Sequence, residues 1–143
     1  MKYSRSDHYS LALHDDAKSD LDALWQINED AAADILAFLD EAKLNQRTLE
    51  NFSINGYVQY GVAPYNVKEW VEARRDRYIL WRTRLLWLKG SAHNYRIIYA
   101  FHPREYRYYV LGVVDKELFS YDINNPISKR ITAAYDALRI PRY

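Results

Sequence analysis

The stretch that decides the fold is "NYRIIYAFHPREYRYYVLGVVDK", residues 94–116. It contains two nearly continuous runs of apolar and aromatic residues, which His102 and Pro103 separate. β-branched and aromatic side chains fit a pleated strand, and a proline interrupts the pairing of a strand. The stretch therefore predicts two antiparallel strands joined by a hairpin. Arginines recur along both runs, and the function of these positive charges is the central question that the sequence poses.

Length and composition predict one soluble domain over residues 1–143. The chain has no cysteine, and it lacks an apolar run of the roughly 18 residues that a membrane span requires. We therefore expect a cytoplasmic protein without membrane contact. The four histidines lack metal-ligand spacing, and no glycine-rich phosphate loop occurs, so neither a metal nor a cofactor is expected. His93 and His102 are interpreted as polar turn residues.

Charge is distributed unevenly along the chain. Residues 1–70 contain 6 Lys and Arg against 12 Asp and Glu, a net charge of −6, while residues 71–143 contain 14 against 7, a net charge of +7. A basic segment rich in Tyr and Trp is typical of a nucleic-acid surface, because cations neutralise phosphates and aromatic rings stack on bases. An acidic helical layer that covers a basic sheet explains the same pattern, and charge alone leaves both interpretations open.

The segment before residue 79 predicts a strand at "YSLAL" (9–13) and two helices in the Ala-, Leu- and Asp-rich region that follows. In the second helix, apolar residues recur at spacings of three and four. Trp25 is expected in the core between the two helices. Residues 53–78 contain several turn signals and a short helical turn over 67–77, and they are interpreted as an insertion.

The remaining elements are a strand in "ILWRTRLLWL" (79–88), the two strands of the opening stretch and a helix in "PISKRITAAYDALRI" (126–140). Ile127, Ile131, Ala134 and Leu138 form one stripe of that helix, which predicts that the helix either packs on the sheet or forms part of a groove for a protein partner. The order of elements favours an α+β fold with helices on one face of an antiparallel sheet.

From residue 79 to 122 the chain resembles the RelE/ParE superfamily of toxins from bacterial type II toxin-antitoxin modules. The resemblance is carried by "ILWRTRLLWL", "NYRIIYAF" and "YYVLGVVDKELFSYD", with a two-helix hairpin ahead of them. It implies a RelE/ParE-like fold, in which an N-terminal strand and a helical hairpin pack on an antiparallel sheet with a C-terminal helix. The chain is longer and less basic than the resemblance implies.

The resemblance leaves two activities open. RelE-like members are ribosome-dependent mRNA endonucleases (mRNA interferases) that inhibit translation and arrest growth, whereas ParE-like members inhibit DNA gyrase and lack the nuclease residues. We expect the first, with the ribosome, mRNA and a cognate antitoxin as partners in a toxin-antitoxin hetero-oligomer. A non-catalytic interaction module is a third hypothesis, which the nearly neutral net charge favours.

Position in the resemblance supplies five candidate catalytic residues: Arg82, Arg84, Arg96, Lys116 and Tyr121. RNA cleavage by the 2′-hydroxyl needs a proton acceptor, cations for the phosphate and a donor for the leaving oxygen, and no metal. Strand alternation places Arg82 and Arg84 on one face. The alternatives are structural, namely solvated charges for the arginines and a surface salt bridge for Lys116, which lies between two carboxylates.

Overall fold

A computed structural model of the protein describes residues 8–86 and 90–142. These residues form six helices and six strands, with a short 3₁₀ turn at Ala92–Asn94. Their order is β1 (Ser10–Leu13), α1 (Asp15–Ile27), α2 (Glu29–Lys43), α3 (Gln46–Glu50), β2 (Val58–Gln59), β3 (Tyr65–Glu69), α4 (Val71–Arg75), β4 (Trp81–Leu85), β5 (Tyr95–His102), β6 (Arg107–Asp115), α5 (Lys116–Phe119) and α6 (Pro126–Ala137). The expected α+β class is confirmed.

The strands form one sheet in the order β1-β6-β5-β4-β3-β2. β1 pairs with β6 in parallel, and the other neighbours are antiparallel, so the expectation of a purely antiparallel sheet is wrong. Two parallel strands need a long connection between them, and here the connection from β1 to β6 contains most of the other elements of the chain. The antiparallel part contains the predicted hairpin of β5 and β6.

Residues 53–78 contribute β2, β3 and α4 to this fold. In β3, Tyr65 and Val67 are buried while Asn66 and Lys68 lie on the other face of the sheet. β3 pairs with β4 along its whole length, and β2 forms the outer edge. The segment interpreted as an insertion therefore extends the sheet beside the strand that carries Arg82 and Arg84.

One core lies between the sheet and the first three helices. The buried side of α1 is the stripe Ala17, Leu21 and Leu24, and α2 contributes Ile35 and Leu39 among others. Trp25 is outside this core with 43% of its surface exposed, which corrects the expectation that it is buried between the helices. It follows Leu24 by about 100° around the helix, beyond the buried stripe.

A second core lies on the opposite face of the sheet, where α4, α5 and α6 pack on β5 and β6. Ile98 and Leu111 from the sheet belong to the same buried cluster as Trp70, which precedes α4, Phe119 of α5 and Ile131 of α6. The expectation of helices on one face only is therefore wrong. Strands that are apolar on both faces need a cover on both, and the nearly continuous apolar runs of β5 and β6 have this character.

Helix α6 packs on the sheet, as its stripe predicted, with Ile131, Ala134 and Tyr135 buried. A bidentate ion pair ties it to α1, because Arg130 donates to both carboxylate oxygens of Asp20 at 2.8 and 2.7 Å. Within residues 8–86 and 90–142, no helix is long and apolar enough to span a bilayer.

Candidate functional site

Three arginines lie on the face of the sheet that α4, α5 and α6 partly cover. Arg82 and Arg84 alternate on β4 with residues that are buried against the first helical layer. Arg82 is opposite Ile98 of β5, so Arg96, two residues before Ile98, points to the same face. We call Arg82, Arg84 and Arg96 the arginine cluster.

Within the arginine cluster, Arg82 is the residue whose side chain contacts β3. Only 8% of its surface is exposed. Its Nη1 donates to the Oδ1 of Asn66 and lies 3.5 Å from the carbonyl oxygen of the same residue. The partner that orients Arg82 is therefore a neutral amide from β3, which belongs to the segment that the sequence left without a role.

Arg96 is held by backbone carbonyls. Its Nη1 donates to the carbonyl oxygens of His93 at 2.8 Å and Tyr95 at 3.1 Å, while its Nε is buried without a partner. These bonds fix the 3₁₀ turn against the start of β5. Arg96 thus supports the local backbone as well as contributing a charge.

Arg84 is the member with the greatest freedom. It is partly exposed, its Nε is buried without a hydrogen-bond partner, and no ion pair or hydrogen bond of its guanidinium group occurs within the described residues. A buried N–H group without an acceptor costs free energy, so the folded chain keeps Arg84 at a cost to stability. Such groups are found where a ligand supplies the acceptor.

Tyr121 lies next to the arginine cluster, in the loop after α5. Ser120 and Tyr121 have φ values of 47° and 57°, a left-handed conformation that two consecutive non-glycine residues rarely adopt. The indole Nε1 of Trp70 donates to the carbonyl oxygen of Tyr121 at 3.2 Å, and the two rings pack edge to face. The Tyr121 hydroxyl is buried and makes no hydrogen bond of good geometry within the described residues, but it lies close enough to the Arg96 side chain to raise the pKa of that guanidinium group against the effect of burial.

The cluster is uncompensated in charge. In the described part of the chain, no carboxylate lies within 4.0 Å of the guanidinium nitrogens of Arg82, Arg84 or Arg96. Burial lowers the pKa of Arg82, Tyr121 acts against this shift, and the charges of Arg96 and Arg84 lower the pKa further. Burial also lowers the pKa of Arg96, again against the influence of Tyr121. Arginine stays protonated at neutral pH despite such shifts, so three positive charges share this site.

A cleft of about 360 Å³ opens beside the cluster, at the end of β4, the start of β5 and the end of β6. Arg84, Arg96 and Lys116 line it together, and His93 forms part of the same wall. Arg82 and Tyr121 do not line the cleft, but Arg82 is close enough to Tyr121, Arg96 and Arg84 for each of them to shift its pKa. The structure therefore brings all five candidate residues to one region, three of them at the cleft surface.

Lys116 is the first residue of α5 and is exposed. Its ammonium group forms no ion pair within 4.0 Å among the described residues, although Asp115 and Glu117 line the same cleft. The salt bridge considered for Lys116 is therefore absent. Asp115 instead caps α5 by accepting a hydrogen bond from the backbone N–H of Glu117 at 2.8 Å.

Several residues of the site were missed or undervalued by the sequence interpretation. His93 lies in the cleft wall, whereas His102 is buried at the far end of β5, with its Nε2 3.7 Å from a carboxylate oxygen of Glu105. Asn66 and Trp70 hold Arg82 and Tyr121, but they are distant in sequence from both. The short alternation of β3 was the only sequence signal that placed Asn66 on a sheet face. The described residues contain no group of three or more side chains arranged to hold a metal ion.

No protein-family model matches the sequence, and neither a curated protein nor a solved structure matches it significantly. The geometry of the site is therefore the basis for its functional interpretation.

Proposed function

We propose that the protein is a RelE/ParE-like toxin that cleaves ribosome-bound mRNA. The observation that supports this proposal best is the arginine cluster, because its three cations have no carboxylate partner among the described residues and two of them, Arg84 and Arg96, line an open cleft. A folded protein usually pairs or exposes such charges. A site that stores positive charge beside a cleft is suited to a phosphodiester, whose charge increases during the reaction.

In the proposed reaction the ribose 2′-oxygen attacks the adjacent phosphorus, and the bond from phosphorus to the 5′-oxygen breaks. The 2′-proton passes to a base, and the 5′-oxygen receives a proton, which gives a 2′,3′-cyclic phosphate and a 5′-hydroxyl. Arg84, Arg96 and Lys116 take the charge of the pentacoordinate phosphate at the cleft surface. The imidazole of His93 lines the cleft and is suited to proton transfer, and the buried hydroxyl of Tyr121, next to Arg96, is the second candidate.

Arg84 is the residue that tests this proposal most directly. Arg84→Met keeps the aliphatic stem but removes the charge, and we expect the cleavage rate to fall by about two to three decades, or roughly 3–4 kcal/mol, as for the loss of one oxyanion donor. Primer extension on a translated message measures the rate. Arg75→Met removes an exposed arginine of α4 and is the matched control. Equal cleavage by wild type and Arg84→Met contradicts the proposal.

Tyr121→Phe tests the hydroxyl alone, since the ring and its contact with Trp70 remain. The hydroxyl makes no hydrogen bond of good geometry within the described residues and interacts with Arg96 and Arg82, so we expect the free energy of unfolding to change by no more than about 1 kcal/mol while cleavage slows by about two decades. Thermal unfolding and primer extension measure the two quantities. Tyr60→Phe, at a residue with 78% exposure, is the control for loss of a tyrosine hydroxyl. A Tyr121→Phe protein with wild-type cleavage removes Tyr121 from the chemistry.

Arg96 is a less specific probe than Arg84. Its guanidinium group binds two carbonyl oxygens of the 3₁₀ turn, so Arg96→Ala removes structural support together with charge. A loss of activity in that variant has two explanations, and its interpretation requires the stability of the variant to be measured beside the cleavage rate.

The toxin assignment also implies a neutralising antitoxin and arrest of growth when that partner is absent.

One observation favours the alternative of a ParE-like gyrase inhibitor: the carboxylates of Asp115 and Glu117 line the cleft beside Lys116 and lower its positive potential. Growth arrest without message cleavage, together with loss of DNA supercoiling by gyrase, would support that alternative.

A further inference from the structure

Within the described residues, Arg82 donates hydrogen bonds to Asn66 of β3, through the side-chain amide oxygen and the backbone carbonyl oxygen of that residue. Where Arg130 needs an anchor between two helices, the chain uses the carboxylate of Asp20. Arg82, near the cleft, instead donates a hydrogen bond to the side-chain amide oxygen of Asn66. An amide oxygen accepts the same hydrogen bond as a carboxylate oxygen but leaves the positive charge intact.

The location of Asn66 follows from the pairing of β3 with β4. Asn66 is opposite Arg84, and Lys68 is opposite Arg82, so the Asn66 side chain lies on the same face as the cluster and reaches Arg82 diagonally. An acidic side chain at this position would be near two members of the cluster at once. Because Asn66 is neutral, it positions one guanidinium group without offsetting the positive charge of the cluster.

We propose that Asn66 is a positioning residue that fixes Arg82 while keeping the arginine cluster cationic for an RNA phosphodiester. This inference rests on the proposed function for the identity of the ligand. It gives residues 53–78 a role, because β3 supplies the neutral acceptor for Arg82 and the following residue of the same segment, Trp70, holds the backbone of Tyr121.

Two substitutions of Asn66 separate this role from a purely structural one. Asn66→Asp keeps the acceptor oxygen and adds an ion pair, so we expect a higher melting temperature than that of wild type. The same substitution offsets one of the three positive charges of the cluster, so we expect about tenfold weaker binding of RNA. Asn66→Ala removes the acceptor, and we expect a lower melting temperature with a smaller loss of affinity, because the charge of Arg82 remains.

The binding probe is a 2′-O-methyl RNA hexanucleotide, which cannot undergo attack by the 2′-oxygen, and isothermal titration calorimetry at low salt measures its Kd. Asn55→Asp is the matched control: it makes the same change in the same segment, at an exposed residue that accepts from the backbone N–H of Glu69. We expect the affinity of this variant to remain within about twofold of wild type.

The outcomes distinguish this inference from the nuclease proposal. An Asn66→Asp protein that melts higher and binds the probe weakly supports the inference, even if wild type cleaves no message and the nuclease proposal fails. Wild-type affinity in Asn66→Asp overturns it, and so does a parallel fall of stability and affinity in Asn66→Asp and Asn66→Ala. A wild-type protein that does not bind the probe also overturns the inference, because the arginine cluster then does not bind RNA phosphodiesters.

Discussion

Arg130 and Arg82 show two ways of holding an arginine in one small protein. The side chain of Arg130 is 36% exposed, yet it receives a bidentate carboxylate partner, and Asp20 also accepts a hydrogen bond from the backbone N–H of Val113 at 3.0 Å. Arg82 is more deeply buried and receives an amide. Burial alone would favour the opposite assignment, because the deeper charge needs more compensation. The difference supports our proposal that Arg130 stabilises the fold whereas the arginine cluster binds a ligand.

The largest stability effect is expected at the compensated pair. Asp20→Ala leaves Arg130 without a carboxylate partner and removes the acceptor for the N–H of Val113. Breaking a fully buried pair costs about 3–5 kcal/mol, and the partial exposure of Arg130 reduces our expectation to about 2–3 kcal/mol. Urea unfolding measures the loss. Asp22→Ala, on the exposed side of the same helix, should change stability by less than about 0.5 kcal/mol.

Removing an arginine from the cluster is expected to increase the stability of the protein, whereas Asp20→Ala decreases it. Arg84→Met removes one of three like charges and a buried Nε without a partner, so we expect the free energy of unfolding to rise by about 1 kcal/mol. The same urea titration measures this gain. If Arg84→Met destabilises the protein as much as Asp20→Ala does, the distinction between structural and ligand-binding arginines is wrong.

The smallest expected effect is on the salt dependence of RNA affinity, which further distinguishes Arg84 from Arg130 and its partner Asp20. The slope of log affinity for RNA against log salt reports the number of phosphate contacts, and Arg84→Met should reduce its magnitude by about 1. Asp20→Ala should leave the slope unchanged, provided that the variant remains folded at the temperature of the titration. Binding of the 2′-O-methyl hexanucleotide over a series of salt concentrations measures both slopes.

Local patterns in the sequence predicted the elements that are long and strongly periodic. The β5–β6 hairpin, the two long helices and the stripe of α6 follow from such patterns, and alternation put Arg82 and Arg84 on one face. The two residues of β2 are too few for a periodic signal. The second helical layer was missed because an apolar strand does not indicate what covers it, and Trp25 was misplaced because one apolar residue does not define a stripe.

The contacts within the site were less predictable, since they depend on pairing between distant segments. Asn66 reaches Arg82 because β3 is placed next to β4, and no local signal fixes that neighbour. His93 enters the cleft because Arg96 binds the carbonyl oxygen of the same turn. The left-handed backbone at Ser120 and Tyr121 is also hidden, because neither residue is a glycine that would indicate it.

The parallel pairing of β1 with β6 has a consequence for synthesis of the chain. Ser10 is among the first described residues to leave the ribosome, yet its partner in the sheet is Arg107. Contacts of such high sequence separation form late, because a long loop must close first. Tyr121 emerges later still, so a nascent chain presents the three arginines before the loop that lies next to them exists. Any activity that depends on the complete site therefore begins only after translation has passed residue 121.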